Sequence, residues 1–290
     1  MLATDLCSLM KVLGHQVIEL DLPDLDIRDE VQVGERLRQC SPEAVVNCAA
    51  YTNVDGAESE PEPARAVNRD GALYVAKACS NMRIPLIHIS TDYVFDGQSA
   101  TPYRETDTPK ALSVYGMSKL EGELAVQSAA PRHYIVRTAW LYSVHGKNFV
   151  KTILQHARSR RELRVVADQY GCPTWTMDLA RVLIAILERS AAGNPIPWGI
   201  YHCCGSGVTT WHRLAEETIR AARTYEPMQA ERVVAITTAE YPATARRPAY
   251  SALDCQKIES ALGTKLPAWQ ESLKLMVSSL YGKPSPMPES

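Results

Sequence analysis

Apolar residues along the chain follow two spacings, one typical of helices and one typical of buried strands. The helical spacing opens the chain, with apolar side chains on one side of a helix at Leu2, Leu6, Leu9, Met10 and Leu13. Gly14 ends this helix, and residues 17–20 predict a short strand that leads into Asp21. The chain is therefore expected to enter an α/β fold directly on a helix.

Further apolar runs predict buried strands at residues 44–50, 85–90, 133–138 and 163–167. Stretches with helical spacing separate them, among them residues 61–82 and residues 113–129, where Ser113 is placed to cap a helix. Strands that are apolar nearly throughout are typical of a parallel sheet covered by helices on both faces. The pattern predicts an α/β, doubly wound parallel sheet of the Rossmann-like class.

The pattern changes after about residue 168, where glycine- and proline-rich loops interrupt shorter helices and strands. This change predicts a dinucleotide-binding domain over residues 1–142 and a smaller α/β substrate-binding domain over residues 143–281. A helix near residues 176–190 is apolar enough to pack back on the first domain. Residues 282–290 are rich in proline and are expected to be a disordered tail.

Composition excludes several classes of function. Lys plus Arg total 31 against 33 Asp plus Glu, so no field of one sign attracts a nucleic acid polymer or an anionic membrane. The chain has no leader-like start and no long apolar run, and its eight cysteines lack metal-ligand spacing. These features are typical of a cytoplasmic protein with reduced thiols.

The sharpest chemical feature is Tyr115, followed four residues later by Lys119 on a predicted helix. This spacing places the phenol and the ammonium group on the same face. A nearby cation favours the phenolate, so Lys119 is expected to lower the pKa of Tyr115 toward neutrality and suit it to proton transfer. The alternative is an ordinary solvated helix face.

Other candidates follow the predicted strands. Thr91 ends an apolar strand at the sheet edge where ligands bind, although a turn cap is the alternative. Ala49 and Ala50 would let a flat cofactor approach the backbone, or would pack tightly in the core. Asp21 follows the strand after the first helix, where an acid binds ribose hydroxyls, or it is an exposed loop residue. Trp140 offers a flat wall for a sugar or base, or packs in the interior.

Together the motifs identify a family. In order along the chain they closely resemble dTDP-4-dehydrorhamnose reductases, members of the extended short-chain dehydrogenase/reductase superfamily, from the first residue to about residue 281. The motifs are VVNCAAYTNVDGAE, HISTDYVFDG, YGMSKLEGE, RTAWLYS, GKNFVKTIL, DQYGCPT, GIYHCCGSGVTTW and YPATARRPAYSALD. The resemblance implies that NADPH or NADH reduces the C4 ketone of dTDP-4-dehydro-L-rhamnose, giving dTDP-L-rhamnose for surface polysaccharide.

The resemblance also implies roles for matched residues. Tyr115 would protonate the developing alkoxide, Lys119 would bind the nicotinamide ribose, and Thr91 would hydrogen-bond the reacting oxygen. The other positions that would bind the cofactor are Asp26, Ile27, Ala49, Ala50, Tyr51 and Asn68. Asp21 is added to them because of its place after the predicted strand. The positions that would line the substrate site are Val54, Asp92, Tyr93 and Trp140. Arg247 is added to them because a guanidinium suits a diphosphate.

Two departures from the family pattern matter. Family members begin with a strand and a glycine-rich turn before the first helix, whereas this chain starts at Met1-Leu2-Ala3, so that strand and its pyrophosphate-binding loop are expected to be missing. Some relatives bridge a homodimer with Mg²⁺ held by glutamates. Asp5 and Asp178 occupy the matching positions, which leaves both Mg²⁺ and a homodimer open.

Other functions stay open at this point. The Tyr-Lys pair also occurs in nucleotide-sugar epimerases and dehydratases of the superfamily, although HISTDYVFDG and DQYGCPT argue against them. A non-catalytic regulatory subunit, of the type that regulates methionine adenosyltransferase, shares many of the motifs. The charge of Asp21 favours NADH, but the sequence leaves NADPH and NADH open.

Overall fold

Residues 1–282 are described by the computed structural model, and helices make up much of this part of the chain. The α-helices are α1 (Leu2–Val12), α2 (Glu30–Cys40), α3 (Val54–Ser59), α4 (Pro61–Arg65), α5 (Ala72–Met82), α6 (Val114–Ala129), α7 (Phe149–Ala157), α8 (Thr176–Ala191), α9 (Trp211–Ala222), α10 (Gln256–Leu262) and α11 (Trp269–Leu280). The tail predicted for residues 282–290 lies, apart from Gly282, outside the described residues.

Strands form one larger sheet and several pairs. They are β1 (Val45–Asn47), β2 (Leu86–Thr91), β3 (His133–Thr138), β4 (Leu141–Tyr142), β5 (Glu162–Val166), β6 (Tyr170–Gly171), β7 (Thr174–Trp175), β8 (Gly199–His202), β9 (Thr209–Thr210) and β10 (Arg232–Ile236). The larger sheet has the order β1-β2-β3-β8, with every neighbouring pair parallel. In the smaller sheets β10 pairs with β5, β4 with β7, and β6 with β9.

Both faces of the larger sheet are covered by helices. Ile87 and Val136 contribute to a core cluster with α1 and α8, whereas Leu86 and Ile135 contribute to a cluster with α2, α5 and α6. Neighbouring residues of one strand point to opposite faces, so a strand needs apolar residues at nearly every position to satisfy both clusters. This arrangement confirms the predicted α/β parallel sheet.

Two strand predictions need correction. Residues 17–20 are not a strand: residues 16–20 take part in no backbone–backbone hydrogen bond with the described residues, so the run has no neighbour to pair with. The run at 163–167 does form a strand, β5, but it pairs with β10 outside the larger sheet. Arg164 is exposed between the buried Leu163 and Val165, so β5 lacks the continuous burial of the central strands.

The second half of the chain builds its own clusters. Helices α7, α9 and α11 enclose residues such as Leu154, Leu214 and Met276. Helix α8 instead packs on α1 and the larger sheet, so it contacts the first half of the chain. The division at residues 142 and 143 stays a prediction. No helix within residues 1–282 is long and apolar enough to cross a membrane.

Candidate active site

The first turns of α6 place the Tyr-Lys pair. Ser113 caps the helix, as predicted, by accepting a hydrogen bond from the Gly116 amide at 3.1 Å. Gly116 lies against the carbonyl of Tyr93, where a Cβ atom would come within 2.2 Å of the oxygen. A glycine at this position therefore lets α6 approach the end of β2 and brings Tyr115 to the sheet edge.

Thr91 meets Tyr115 at that edge. Its hydroxyl donates to Asp92 Oδ1 at 3.0 Å and accepts from the Tyr93 amide at 3.2 Å, which caps the 3₁₀ turn of residues 92–94. The same hydroxyl is a hydrogen-bonding partner of the Tyr115 phenol. Thr91 thus caps this turn and also lies beside Tyr115, and its hydrogen bond to a ligand stays a prediction.

Lys119 does not act on Tyr115 as the sequence suggested. Its Nζ donates to the carbonyl oxygen of Ile89 on β2 at 2.7 Å, and the side chain is buried. Burial lowers the pKa of Lys119 to about 8, against the opposing effect of the Glu123 carboxylate. Burial also raises the pKa of Tyr115 to about 12, so the expected lowering of the phenol pKa is wrong.

Asp92 and Tyr93 complete the polar edge beside Tyr115. Asp92 is buried, and burial raises the pKa of its carboxyl to about 6. The ring of Tyr93 meets that of Tyr115 edge-on, with centroids 5.6 Å apart and planes at 76°. Both side chains predicted to line a substrate site therefore lie next to the phenol.

A loop after β1 is fixed by one buried amide. Asn68 accepts from the Tyr51 amide at 2.9 Å and donates to the Tyr51 carbonyl at 3.1 Å, and its Nδ2 also contacts Ser118 Oγ at 2.9 Å. It sits in a π-helical turn over Ala66–Gly71, a conformation frequent at functional sites. Asn68 therefore shapes the loop that carries Ala49, Ala50 and Tyr51 and ties it to α6.

A cavity of about 1530 Å³ borders this loop and extends from α1 to β1. Asp21, Ile27 and Ala49 line it. Asp21 is exposed, and Ile27 packs over Gly71. Asp26 lies close by but is engaged by Arg28, with Nη2 to Oδ2 at 2.6 Å. The cavity is long enough for an elongated cofactor and runs along β1 from Pro42 before the strand to Ala49 after it, so its Ala49 end reaches the edge where parallel sheets bind ligands.

Arg247 lies beside the site but is already paired. Its Nη2 contacts Asp55 Oδ2 at 2.7 Å, and it also reaches the Tyr93 hydroxyl. Asp55 follows Val54, the half-buried first residue of α3, and accepts from the amide of Ala245 at 2.9 Å. The ion pair lowers the pKa of Asp55 and closes the loop around Arg247 over the start of α3.

Trp140 is half-buried and has one face covered. Its ring stacks on that of Trp211, with centroids 3.5 Å apart and planes at 7°, and its edge lies against Gly171. Interior packing therefore accounts for this face, and a ligand has access only to what Trp211 leaves uncovered.

The carboxylates proposed for Mg²⁺ are occupied by protein groups. Asp5 accepts hydrogen bonds from Ser143 and Thr176, and Asp178 from Ser272 and Arg181. Within residues 1–282 there is no group of three or more His, Cys, Asp or Glu side chains that could hold a metal ion. The structure does not support an Mg²⁺ site at Asp5 and Asp178.

Sequence reasoning missed several partners of the site. Glu123 lies one helical turn beyond Lys119, and it forms a buried ion pair with Arg137 of β3. A signal was available, because an Arg inside the apolar run 133–138 requires a buried acidic partner. The pairing of Asp55 with Arg247 carried no such local signal.

Comparisons with known proteins agree with this geometry. A family model described as "RmlD substrate binding domain" matches residues 1–281. A dTDP-4-dehydrorhamnose reductase from Sinorhizobium fredii is 44% identical over 91% of this chain and 90% of its own. The chain belongs to the dTDP-4-dehydrorhamnose reductase family. The resemblance drawn from the eight sequence motifs is confirmed.

Solved structures of dTDP-4-dehydrorhamnose reductases share the fold. The structure from Clostridium acetobutylicum superimposes with a TM-score of 0.90 at 37% identity, covering 96% of this chain and 95% of that one. The structure from Bacillus anthracis, solved in complex with NADP, gives 0.89 at 33% identity, covering 96% and 95%. The expectation that a strand and a glycine-rich loop are missing is not supported by these comparisons.

Proposed function

We propose that this chain reduces the C4 ketone of dTDP-4-dehydro-L-rhamnose to give dTDP-L-rhamnose, with NADPH or NADH as the reductant. The observation that carries the proposal is the meeting of Thr91, Tyr115 and Lys119 at the carboxyl end of β2, in a chain of this family. Parallel sheets of this class bind ligands at that edge. The product serves the synthesis of surface polysaccharide.

Tyr115 donates the proton. Reduction of a ketone develops negative charge on the carbonyl oxygen, and this charge needs a proton from a group that still carries one at neutral pH. A phenol with a pKa of about 12 is protonated under these conditions. Burial also removes water that would otherwise compete as the proton donor.

Thr91 and Lys119 assist this transfer. The Thr91 hydroxyl, held by Asp92 and by the Tyr93 amide, lies where it can hydrogen-bond the same substrate oxygen. Lys119 is anchored to the Ile89 carbonyl through one of its three donors, so two donors are left for ribose hydroxyls. With these donors Lys119 would hold the nicotinamide next to Tyr115.

The cofactor would be held by residues around the cavity and the loop after β1. Asp21 would face the adenosine ribose, Asp26 and Ile27 the adenine, and Ala49, Ala50 and Tyr51 the nicotinamide half, with Asn68 supporting the loop. When bound, the reduced nicotinamide supplies the hydride that C4 receives. The NADP complex of the Bacillus anthracis relative supports use of NADPH, and the exposed Asp21 supports acceptance of NADH.

The substrate would bind on the side of Tyr115 away from the cofactor. Asp92, Tyr93 and Val54 would surround the sugar, and Trp140 would line a more distant part of the substrate site. Arg247 would bind the diphosphate through N–H groups that Asp55 leaves free, since a guanidinium has five donors. This ion pair holds Arg247 in place before substrate arrives.

The direct test is oxidation of NADPH and of NADH in the presence of dTDP-4-dehydro-L-rhamnose, followed by nicotinamide absorbance. We expect turnover by the parent protein and formation of dTDP-L-rhamnose, identified by mass and by comparison with authentic product. Absence of turnover from a folded protein that binds both ligands would refute the proposal.

A further inference from the structure

A buried ion pair lies directly beneath the catalytic edge. Glu123 follows Lys119 by four residues on α6, so the two side chains lie on one face of the helix. Its carboxylate accepts from Arg137 Nε at 2.9 Å and Nη2 at 2.6 Å, and from Ser90 Oγ at 2.5 Å. Neither Glu123 nor Arg137 is more than 1% exposed.

The far side of Arg137 ends on a neutral group. Its Nη1 lies 3.4 Å from His202 Nε2, and His202 Nδ1 contacts the Tyr103 carbonyl at 3.0 Å. A carbonyl only accepts, so the ring proton sits on Nδ1 and Nε2 is free to accept from Arg137. Burial lowers the pKa of His202 to about 3. The Arg137 charge is therefore balanced by Glu123 alone.

Stability does not explain this arrangement. Removing two charges from water is costly, and replacing a buried ion pair with apolar residues of similar size is often neutral or stabilising. The position of the pair does allow an electrostatic effect on Lys119. The Glu123 carboxylate acts on Lys119 across one helical turn, and Arg137 approaches that carboxylate from the neighbouring strand β3.

We propose that Glu123, held by Arg137 and Ser90, is a positioning residue that keeps Lys119 charged and directed at the catalytic edge. The inference rests on the role proposed above for Lys119. The two members of the ion pair then have opposite effects. The Glu123 carboxylate stabilises the Lys119 ammonium, and the Arg137 charge weakens that stabilisation.

Other groups near Lys119 do not supply this negative charge. On β2, burial keeps the pKa of His88 well below its usual value, so it is neutral, and Asp92 acts on Tyr115. After β1, burial raises the pKa of the Cys48 thiol to about 12. On α6 itself the Tyr115 phenol is protonated at neutral pH. Among the described residues, Glu123 is the ionised acid that acts on Lys119.

The test measures the ionisation of Lys119 directly, without cofactor. Protein labelled with ¹³C at lysine Cε is titrated by NMR, and the Lys119 signal is assigned by its loss in Lys119→Met. Glu123→Gln removes the stabilising charge and leaves Arg137 unbalanced, so the Lys119 pKa should fall by about one unit or more, a tenfold change in its ionisation constant. Arg137→Gln leaves the carboxylate unbalanced, so the pKa should rise.

Shifts of opposite sign from the two halves of one ion pair distinguish electrostatic positioning from a structural brace. The control Glu121→Gln removes a carboxylate from the same helix that pairs with Arg65, and it should leave the Lys119 pKa unchanged. If Glu123→Gln does not fold, the test uses Arg137→Gln and Glu123→Asp. Glu123→Asp keeps the carboxylate, so the pKa of Lys119 should stay near the parent value. An unshifted Lys119 pKa in folded Glu123→Gln or folded Arg137→Gln overturns the inference.

Activity provides a second measurement. Turnover requires charged Lys119, so kcat/KM should fall as pH rises through its pKa, and this alkaline limb should move in the same two directions. Lys119→Met with parent-like activity would refute the role proposed for Lys119. Inactive Lys119→Met together with unshifted titrations in both pair variants would refute only the positioning by Glu123.

Discussion

Replacing Tyr115 with phenylalanine tests the proton donor with little disturbance of the structure. Phenylalanine keeps the ring that meets Tyr93 edge-on and removes only the hydroxyl. Thr91 loses one hydrogen-bonding partner but keeps Asp92 Oδ1 at 3.0 Å and the Tyr93 amide at 3.2 Å. Because Thr91 keeps these two partners, the free energy of unfolding should fall by only about 0.5–1.5 kcal/mol.

The effect on the reaction should be much larger. A positioned general acid contributes about 10²- to 10⁴-fold to a rate. That range corresponds to about 2.7–5.5 kcal/mol of activation free energy. Because substrate contacts other than the phenol are kept, the loss should appear in kcat rather than in KM for either ligand.

The assay is steady-state oxidation of NADPH with dTDP-4-dehydro-L-rhamnose, combined with urea unfolding of the same samples. Tyr103→Phe is the control, since it removes a phenol hydroxyl that donates to Asp96 at 2.9 Å outside the candidate site. This control should have parent-like kcat. A folded Tyr115→Phe variant with kcat within a few-fold of the parent would show that another group donates the proton.

Three further predictions follow from the same contacts. Arg247→Gln should raise KM for the dTDP-sugar by roughly ten- to a hundredfold, the value of a charged hydrogen bond, while KM for NADPH and the adjacent control Arg246→Gln stay near parent values. Asp21→Asn should raise the preference for NADPH over NADH by about fivefold, because a carboxylate no longer repels the 2′-phosphate. Gly122→Ala should lower the free energy of unfolding in urea by about 1–3 kcal/mol, because its Cβ would lie 2.0 Å from the Asn68 carbonyl oxygen.

Each of these has a contrary result. Equal KM values for Arg247→Gln and Arg246→Gln would remove Arg247 from the substrate site. An unchanged NADPH to NADH ratio would place the 2′-phosphate away from Asp21. Gly34 is the comparison for Gly122, since a Cβ there meets only Arg38 at 3.8 Å, so Gly34→Ala should stabilise by about 0.5–1 kcal/mol. Equal effects at both glycines would contradict the close approach of α6 to Asn68.

The local sequence pattern was enough to predict the elements at the centre of the fold. Strands β2 and β3 could be predicted because burial on both faces demands continuous apolar runs, and α6 because Ser113 marks its start. The Tyr-Lys pair could be recognised because helical periodicity fixes the shared face of residues four apart. Thr91 could be placed beside Tyr115 because ligand edges in parallel sheets lie at strand ends.

Contacts between residues far apart in the sequence could not be predicted. The run at 163–167 has strand character, but nothing in it states that β10 is its neighbour. Residues 17–20 have the same character, but among the described residues no strand pairs with them. Arg247 finds Asp55 across 192 positions, and no local spacing encodes that contact. The predicted lowering of the Tyr115 pKa was wrong for a related reason. The pKa depends on burial and on where the Lys119 ammonium is anchored, and neither can be seen in a local pattern.

Asn68 has a consequence for how this site can change through mutation. Its amide bonds both backbone groups of Tyr51 and reaches Ser118 on α6, so the cofactor loop and the catalytic helix share one attachment point. Substitutions in the loop and in α6 should then be strongly interdependent, since a shift of either segment strains the same side chain. Selection from libraries that vary both segments should retain asparagine at position 68 far more often than it retains any exposed residue of the loop.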